Sequence, residues 1–213
     1  MKSPFIGFLM LADLSSAASV MSGVWDVSGQ VPDNSVTGWS DTRHFSSISV
    51  VISEVEVFLE TTGGFNGDLY AYLAHDSGFS VLLNRVGRSE SNPDGSFTTG
   101  MSVVFSDAAG QDVHTAETFD GIYQPDGRQG SPFTVTESTA RTARLSSFDG
   151  LDPDGSWTLF VADLSPGYQT TVVRWGITLT TAEVVPEPSP LLAAGVMALV
   201  VMSRRKRRTD GGV

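Results

Sequence analysis

Through the middle of the chain, apolar residues return at every second position. Between residues 31 and 182, no stretch longer than ten residues repeats with the period of a helix. Side chains that alternate in this way point to opposite faces of an extended strand, so the pattern commits the chain to sheets. Residues 170–180 (TTVVRWGITLT) put Val173, Trp175, Ile177 and Leu179 on one face. The opposite face carries Arg174, Gly176, Thr178 and Thr180, with Val172 its only apolar member. Residues 156–163 (SWTLFVAD) align Trp157, Leu159 and Val161 in the same manner. In residues 48–60 (ISVVISEVEVFLE) the phase slips near Ser53-Glu54. Ile48, Val50 and Ile52 share one parity, and Val55, Val57 and Leu59 share the other. A slip of one residue exchanges the faces, so this segment is two strands or one strand with a bulge.

Residues 68–74 and 79–83 flank His75-Asp76-Ser77-Gly78 and read as a hairpin, and residues 101–105 form a further short strand. Residues 85–147 are rich in Ser, Thr, Gly and Asp and poor in apolar anchors. They read as a long, loop-dominated insertion with a strand or two. The 22 glycines and 10 prolines supply turns, while 12 Phe, 4 Trp and 4 Tyr suffice for a core. The expected fold is all-β: one β-sandwich or jelly-roll domain.

The ends have a different chemistry. Residues 191–202 (LLAAGVMALVVM) are apolar, follow the Pro-rich Val185-Pro186-Glu187-Pro188-Ser189-Pro190, and precede Arg204, Arg205, Lys206, Arg207 and Arg208. Apolar side chains partition into lipid and a basic cluster stays on the cytoplasmic side. The order therefore predicts a linker at 183–190, a transmembrane helix at 191–203 and a basic stop-transfer tail at 204–213. The helix is short against a hydrocarbon core of about 30 Å, a gap that snorkelling arginines and local thinning cover in part. A buried C-terminal helix is the other reading of the run, and five adjacent cations oppose it. At the N-terminus, Lys2, the apolar residues 4–14 and the small residues 15–19 (SSAAS) have the order of a signal peptide, placed at 1–23 and interrupted by Asp13; an ordinary N-terminal strand is the other reading. Without these ends, residues 24–190 hold seven arginines, no lysine and 22 acidic residues, a net charge near −15. Such a surface repels nucleic acid.

The composite at the C-terminus resembles a PEP-CTERM sorting signal, with Pro186, Glu187 and Pro188 as the motif. The resemblance implies processing by exosortase, an integral-membrane transpeptidase. It also implies release from an inner-membrane anchor to the cell surface or extracellular matrix. A second resemblance rests on VPDNSVTGW (31–39), ISEVEVFLE (52–60), GDLYAYLAHDSG (67–78), SFDGLDPDGSWTLFVADLSPG (147–167) and VRWGITL (173–179). These phrases are similar to the P domain (P/Homo B), the jelly roll that follows the catalytic domain of kexin- and furin-like convertases. The likeness spans 31–182. Where that family usually has His-Thr-Tyr before Gly-Asp-Leu, this chain has Gly64-Phe65-Asn66.

Chemistry is sparse. The chain has no cysteine, which excludes a Cys nucleophile, a Cys-ligated zinc and a disulfide scaffold. No G-x-S-x-G elbow surrounds a serine, and His44, His75 and His114 read as surface or loop residues. Asp149, Asp152 and Asp154, with Asp163 one strand later, are candidate calcium ligands, because hard cations want several oxygens. The same Pro-Asp-Gly steps are also turn chemistry in their own right. Asp68 reads as a brace for its loop. Trp157 and Trp175 share the parity of the core, which leaves Trp39 as the candidate surface aromatic. The expected function is that of an exported, non-catalytic surface or matrix protein, adhesive or structural, with extracellular polysaccharide as its candidate partner. The alternative is an accessory domain or subunit of a secreted subtilisin-like serine endopeptidase. About 150 residues of sandwich leave no room for such a catalytic domain, so a protease label would rest on association alone.

Overall fold

The computed structural model describes residues 18–46 and 50–183. The signal peptide, the Pro-Glu-Pro motif, the transmembrane helix and the basic tail fall wholly or mainly outside the described residues. Among those described, no helix is long and apolar enough to cross a membrane.

Among the described residues nine strands follow one another: β1 (Ser19–Gln30), β2 (Ser35–Phe45), β3 (Val50–Phe65), β4 (Leu69–His75), β5 (Gly78–Asn84), β6 (Thr99–Ser106), β7 (Asp120–Tyr123), β8 (Gly155–Asp163) and β9 (Thr170–Glu183). They form a five-stranded sheet, β1-β9-β3-β6-β7, and a four-stranded sheet, β2-β8-β4-β5. The expected β-sandwich is therefore the fold. Residues 19–23, read from the sequence as the exit of a signal peptide, pair with β9 from Ser19↔Thr181 to Gly23↔Ile177.

The core lies between the sheets and comes from the alternating positions. Val55, Val57 and Leu59 of β3 and Trp175, Ile177 and Leu179 of β9 face Leu69, Ala71 and Leu73 of β4 and Trp157, Leu159 and Val161 of β8, all buried. The phase slip in β3 is a bulge within one strand. Ile52 opposes Thr181 and Glu54 opposes Thr180, which leaves Ser53 as the extra residue. Ile52 and Val55 are consequently both buried. A second bulge corrects the reading of β9. Arg174 opposes Glu60 and Val172 opposes Thr61, so Val173 is the extra residue. The face flips there, and Val172 enters the core while Val173 stays half-buried.

The two long sides are closed differently. Beside β1 and β2, aromatic rings fill the gap. Trp25 lies 4.9 Å from Trp175 and 6.1 Å from Phe45, and Arg43 sits over its ring. Trp39, expected on the surface, packs half-buried against the core and over Gly29, where a Cβ would meet its indole. On the opposite side, residues 107–144 cover the edge of β5. The amides of Asp126 and Gly127 donate to the carbonyls of Leu82 and Val81, and the Val81 amide donates to Ala143. The insertion contains two strands, β6 and β7, paired in parallel. It protects a sheet edge that would otherwise offer free backbone groups.

Strand register gives the sandwich two distinct ends. Ser19, Val50 and Glu183 lie at one end, because Ser19 pairs with Thr181 and Val50 with Glu183. The turns at 31–34, 63–68, 85–98 and 164–169 lie at the other. There Gly63 opposes Thr170, and the Val31 amide donates to the Thr170 carbonyl. Gly64 holds this end tight. Its φ is +50°, and a Cβ would collide with Thr170 Oγ1. Gly64→Ala is expected to destabilise the fold by about 1–3 kcal/mol, the cost of a non-glycine residue in the left-handed region. Thermal unfolding followed by circular dichroism should show a Tm several degrees lower, and an unchanged Tm would contradict the role.

Candidate functional site

At the end away from Glu183, four sheet-crossing connections meet around buried charge. Asp68, on the short 3₁₀ turn Asn66–Asp68, and Asp163, the last residue of β8, are both buried. Arg85 lies beside them with φ +52°, its Nε donating to the Gly67 carbonyl at 2.6 Å and its guanidinium 3.4 Å from Asp68. The Leu164 amide donates to the Asp68 carbonyl and ties the two acidic loops together. Asp163 accepts from the Ser165 amide at 3.4 Å and the Thr170 hydroxyl at 3.5 Å. Burial pushes the Asp163 carboxyl up to about 6. The neighbouring Asp68 and Asp33 charges add to the rise, against the Ser165 and Thr170 hydrogen bonds. Burial raises Asp68 as well; Ser165 and Arg85 oppose this, and Asp94 and Asp33 reinforce it. Asp33 and Asp94 are exposed. This end therefore collects four carboxylates against two arginines, Arg85 and, in the same connection, Arg88.

Three aromatic rings stand at the same end. Phe65, at the end of β3, lies 5.7 Å from Phe97 and 5.3 Å from Tyr168, edge-on to both. Phe97 and Tyr168 are 65% and 68% exposed. The sequence reading missed this cluster, since each ring belongs to a different loop and no local pattern joins them.

The proposed calcium ligands do not converge. Asp149, Asp152 and Asp154 precede β8, whereas Asp163 closes it, about 26 Å away at 3.3 Å per strand residue. Among the described residues, no three histidine or acidic side chains come together as ligands for one metal ion. Asp152 Oδ1 instead accepts from the Asp154 amide at 2.9 Å, which is turn geometry. Asp149 faces other partners. With Glu54, Asp107 and Leu145 it lines a cleft of about 230 Å³. Its carboxyl is raised by burial first and then by the charges of Asp107 and Glu54. Asp107 is already engaged, accepting from the amides of Leu145 and Ser146.

Two of the histidines are structural. His75, expected in a turn, ends β4 and is buried flat on Trp157, with ring centroids 4.1 Å apart and planes 1° from parallel. Its Nδ1 lies 3.0 Å from the Ser156 carbonyl and its Nε2 2.8 Å from that of Asp152, so it staples the 149–154 loop to β8. His114, expected on the surface or in a loop, is also buried. Its Nδ1 is 2.7 Å from Asp126 Oδ2 and its Nε2 is 3.0 Å from the Arg88 carbonyl. This arrangement resembles the base and orienting carboxylate of a hydrolase, but the outer nitrogen is spent on backbone and meets no nucleophile. His44 lies exposed on β2.

No protein-family model matches the chain. No curated protein matches it in sequence. Among solved structures, the Aeromonas sobria serine protease in complex with the chaperone ORF2 aligns with a TM-score of 0.45 and 14% identity, covering 79% of this chain and 28% of that one. The structure of the Aeromonas sobria serine protease gives a TM-score of 0.44 and 14% identity over 77% of this chain and 27% of that one. The chain thus spans less than a third of the length of these neighbours.

Proposed function

We propose that this chain is an exported, non-catalytic protein of the cell surface or extracellular matrix. In this reading, a P-like sandwich is carried to the membrane by the N-terminal signal segment that precedes β1, held there by 191–203, and released by exosortase through Pro186, Glu187 and Pro188. One observation supports display best. The first and last strands lie side by side, Ser19 opposite Thr181, so both flanking segments join the sandwich at one end. The loops that bear exposed aromatic and acidic side chains occupy the other end. The engagement of both ring nitrogens of His75 and His114 supports the non-catalytic part.

Replacing Pro186 and Glu187 together by alanine, in the natural host, tests the sorting route. The expected result is accumulation of the unprocessed chain in the membrane fraction, read by fractionation and intact mass. Processing at the normal rate would overturn the assignment. Peptidase activity of the purified chain, abolished by His75→Ala at unchanged Tm, would overturn the non-catalytic reading.

A further inference from the structure

The aromatic cluster at the loop end goes beyond the sorting reading and concerns the partner met there. We propose that Phe65, Phe97 and Tyr168 form a docking surface for a basic segment of another protein, whose arginine or lysine side chains lie on the rings and pair with Asp33 and Asp94.

Single exposed apolar residues are ordinary, but a joined cluster of them marks an interaction surface. Here two rings about two-thirds exposed flank a third, and three separate loops bring them together. The loops are pinned. The Asn66 and Gly67 amides donate to the carbonyls of Thr98 and Ser96, on either side of Phe97. The Gly167 amide, beside Tyr168, donates to the Asp33 carboxylate at 3.1 Å, and the next residue, Gln169, donates to the Val31 carbonyl. A pre-ordered surface loses little freedom on binding.

Charge selects the occupant. Four carboxylates outnumber the two arginines here: Arg85 is buried and bound to Asp68 and the Gly67 carbonyl, and the Arg88 guanidinium donates to the carbonyls of Pro132 and Phe133. No lysine lies anywhere between residues 3 and 205. A guanidinium or ammonium over an aromatic face is attracted by the ring and can reach a nearby carboxylate at the same time. A neutral sugar would stack on the same rings but leave the excess negative charge unanswered, so a basic peptide fits better.

The test uses the purified full-length chain in detergent and a fluorescent octapeptide of alternating arginine and glycine, with a glutamate-for-arginine peptide as control. Anisotropy is expected to show binding of the basic peptide that weakens with salt. Phe97→Ser with Tyr168→Ser should weaken it about tenfold, the scale of a lost ring–cation contact. Asp33→Asn with Asp94→Asn should weaken it and flatten its salt dependence. Tyr168→Phe, which keeps the ring, should bind as the parent does, and Phe133→Ser, at an exposed ring elsewhere, should change nothing. Unchanged Tm values show that the variants fold. If Phe97→Ser/Tyr168→Ser costs stability, Tyr168→Leu alone must still reduce binding. The proposal is overturned if the loop-end variants bind like the parent or if the acidic peptide binds equally. It is also overturned if Phe97 and Tyr168 prove necessary for retention on neutral polysaccharide but not for the peptide. None of these outcomes bears on processing at Pro186-Glu187-Pro188, which is measured separately.

Discussion

Asp126→Ala is expected to be among the most damaging single substitutions in the sandwich, although the residue sits in a segment that reads as loop. Its carboxylate is fully buried. One oxygen accepts from His114 Nδ1 at 2.7 Å and from the Asn84 amide at 3.2 Å. The other accepts from the amide and the guanidinium of Arg128, both at 3.3 Å. Arg128 is buried too, and its other bonds run to Asp112 at 2.9 Å and to the carbonyls of Glu137 and Asp126 at 2.9 and 3.3 Å. Removing Asp126 leaves a buried cation and a buried imidazole without their shared anion. Breaking a buried pair by deleting one partner costs roughly 3–5 kcal/mol, more than the pair contributes relative to an apolar replacement. For a chain of this size the loss corresponds to a Tm lower by about 10 °C. Because residues 107–144 cover the edge of β5, the loss should also open that edge. Urea unfolding and amide exchange at Val81 and Asp126 would show both effects. Asp120→Ala, at an exposed position on β7, should be nearly silent. Equal stability of the Asp126→Ala and parent chains would refute this account.

The contrast between Asp126 and Trp175 shows what the sequence discloses. Trp175 is one of four apolar residues at alternating positions, and that period is enough to send it inward. Trp157 follows the same rule, and both indoles are fully buried. The slip in β3 was legible for the same reason, since a parity change can only be a break or a bulge. In β9 the period alone is ambiguous, because Val172 and Val173 are adjacent and either can begin the inward series; the bulge decides for Val172. β1 and β2 show no clear apolar alternation, because their inward positions carry Gly23, Gly38, Asp41 and Arg43 among the aromatics. Such edge strands need only half-bury their faces. His114 and Asp126 are twelve residues apart in a polar stretch, and polar residues there read as solvent-facing. Their burial follows from pairing with each other and with Arg128, a tertiary fact without a local period. The loop-end site was half legible: Asp163 was singled out, but it was joined to carboxylates at the wrong end of its strand.

The second large effect concerns pH, and its sign is set by groups whose protonated forms the fold favours. Asp163 is almost fully buried and its carboxyl is raised to about 6, by burial first and then by Asp68 and Asp33. In the unfolded chain an aspartate titrates near 3.9. Between these values the native state holds a proton that the unfolded state has released, so stability falls as pH rises. The contribution is fully present below about pH 4 and is lost as pH passes about 6. A displacement of about two units corresponds to roughly 3 kcal/mol. Asp68, raised by burial, acts in the same direction from the same lower bound. His114 extends the trend. Burial opposes its charge, but the hydrogen bond and attraction to Asp126, with the Arg88 carbonyl, outweigh burial and raise it. Its stabilisation is fully present below the ordinary imidazole value of about 6.5 and is lost as pH rises through its native value. Urea midpoints should therefore decline from pH 4 towards pH 8. Asp163→Asn cannot ionise, so it should remove most of the decline between pH 4 and 6 and raise stability at pH 7. The decline above about 6.5 should remain in that variant and flatten in His114→Gln. If the parent and Asp163→Asn keep parallel profiles from pH 4 to 6, Asp163 does not titrate in this window. The loop end would then carry its full negative charge even in mild acid.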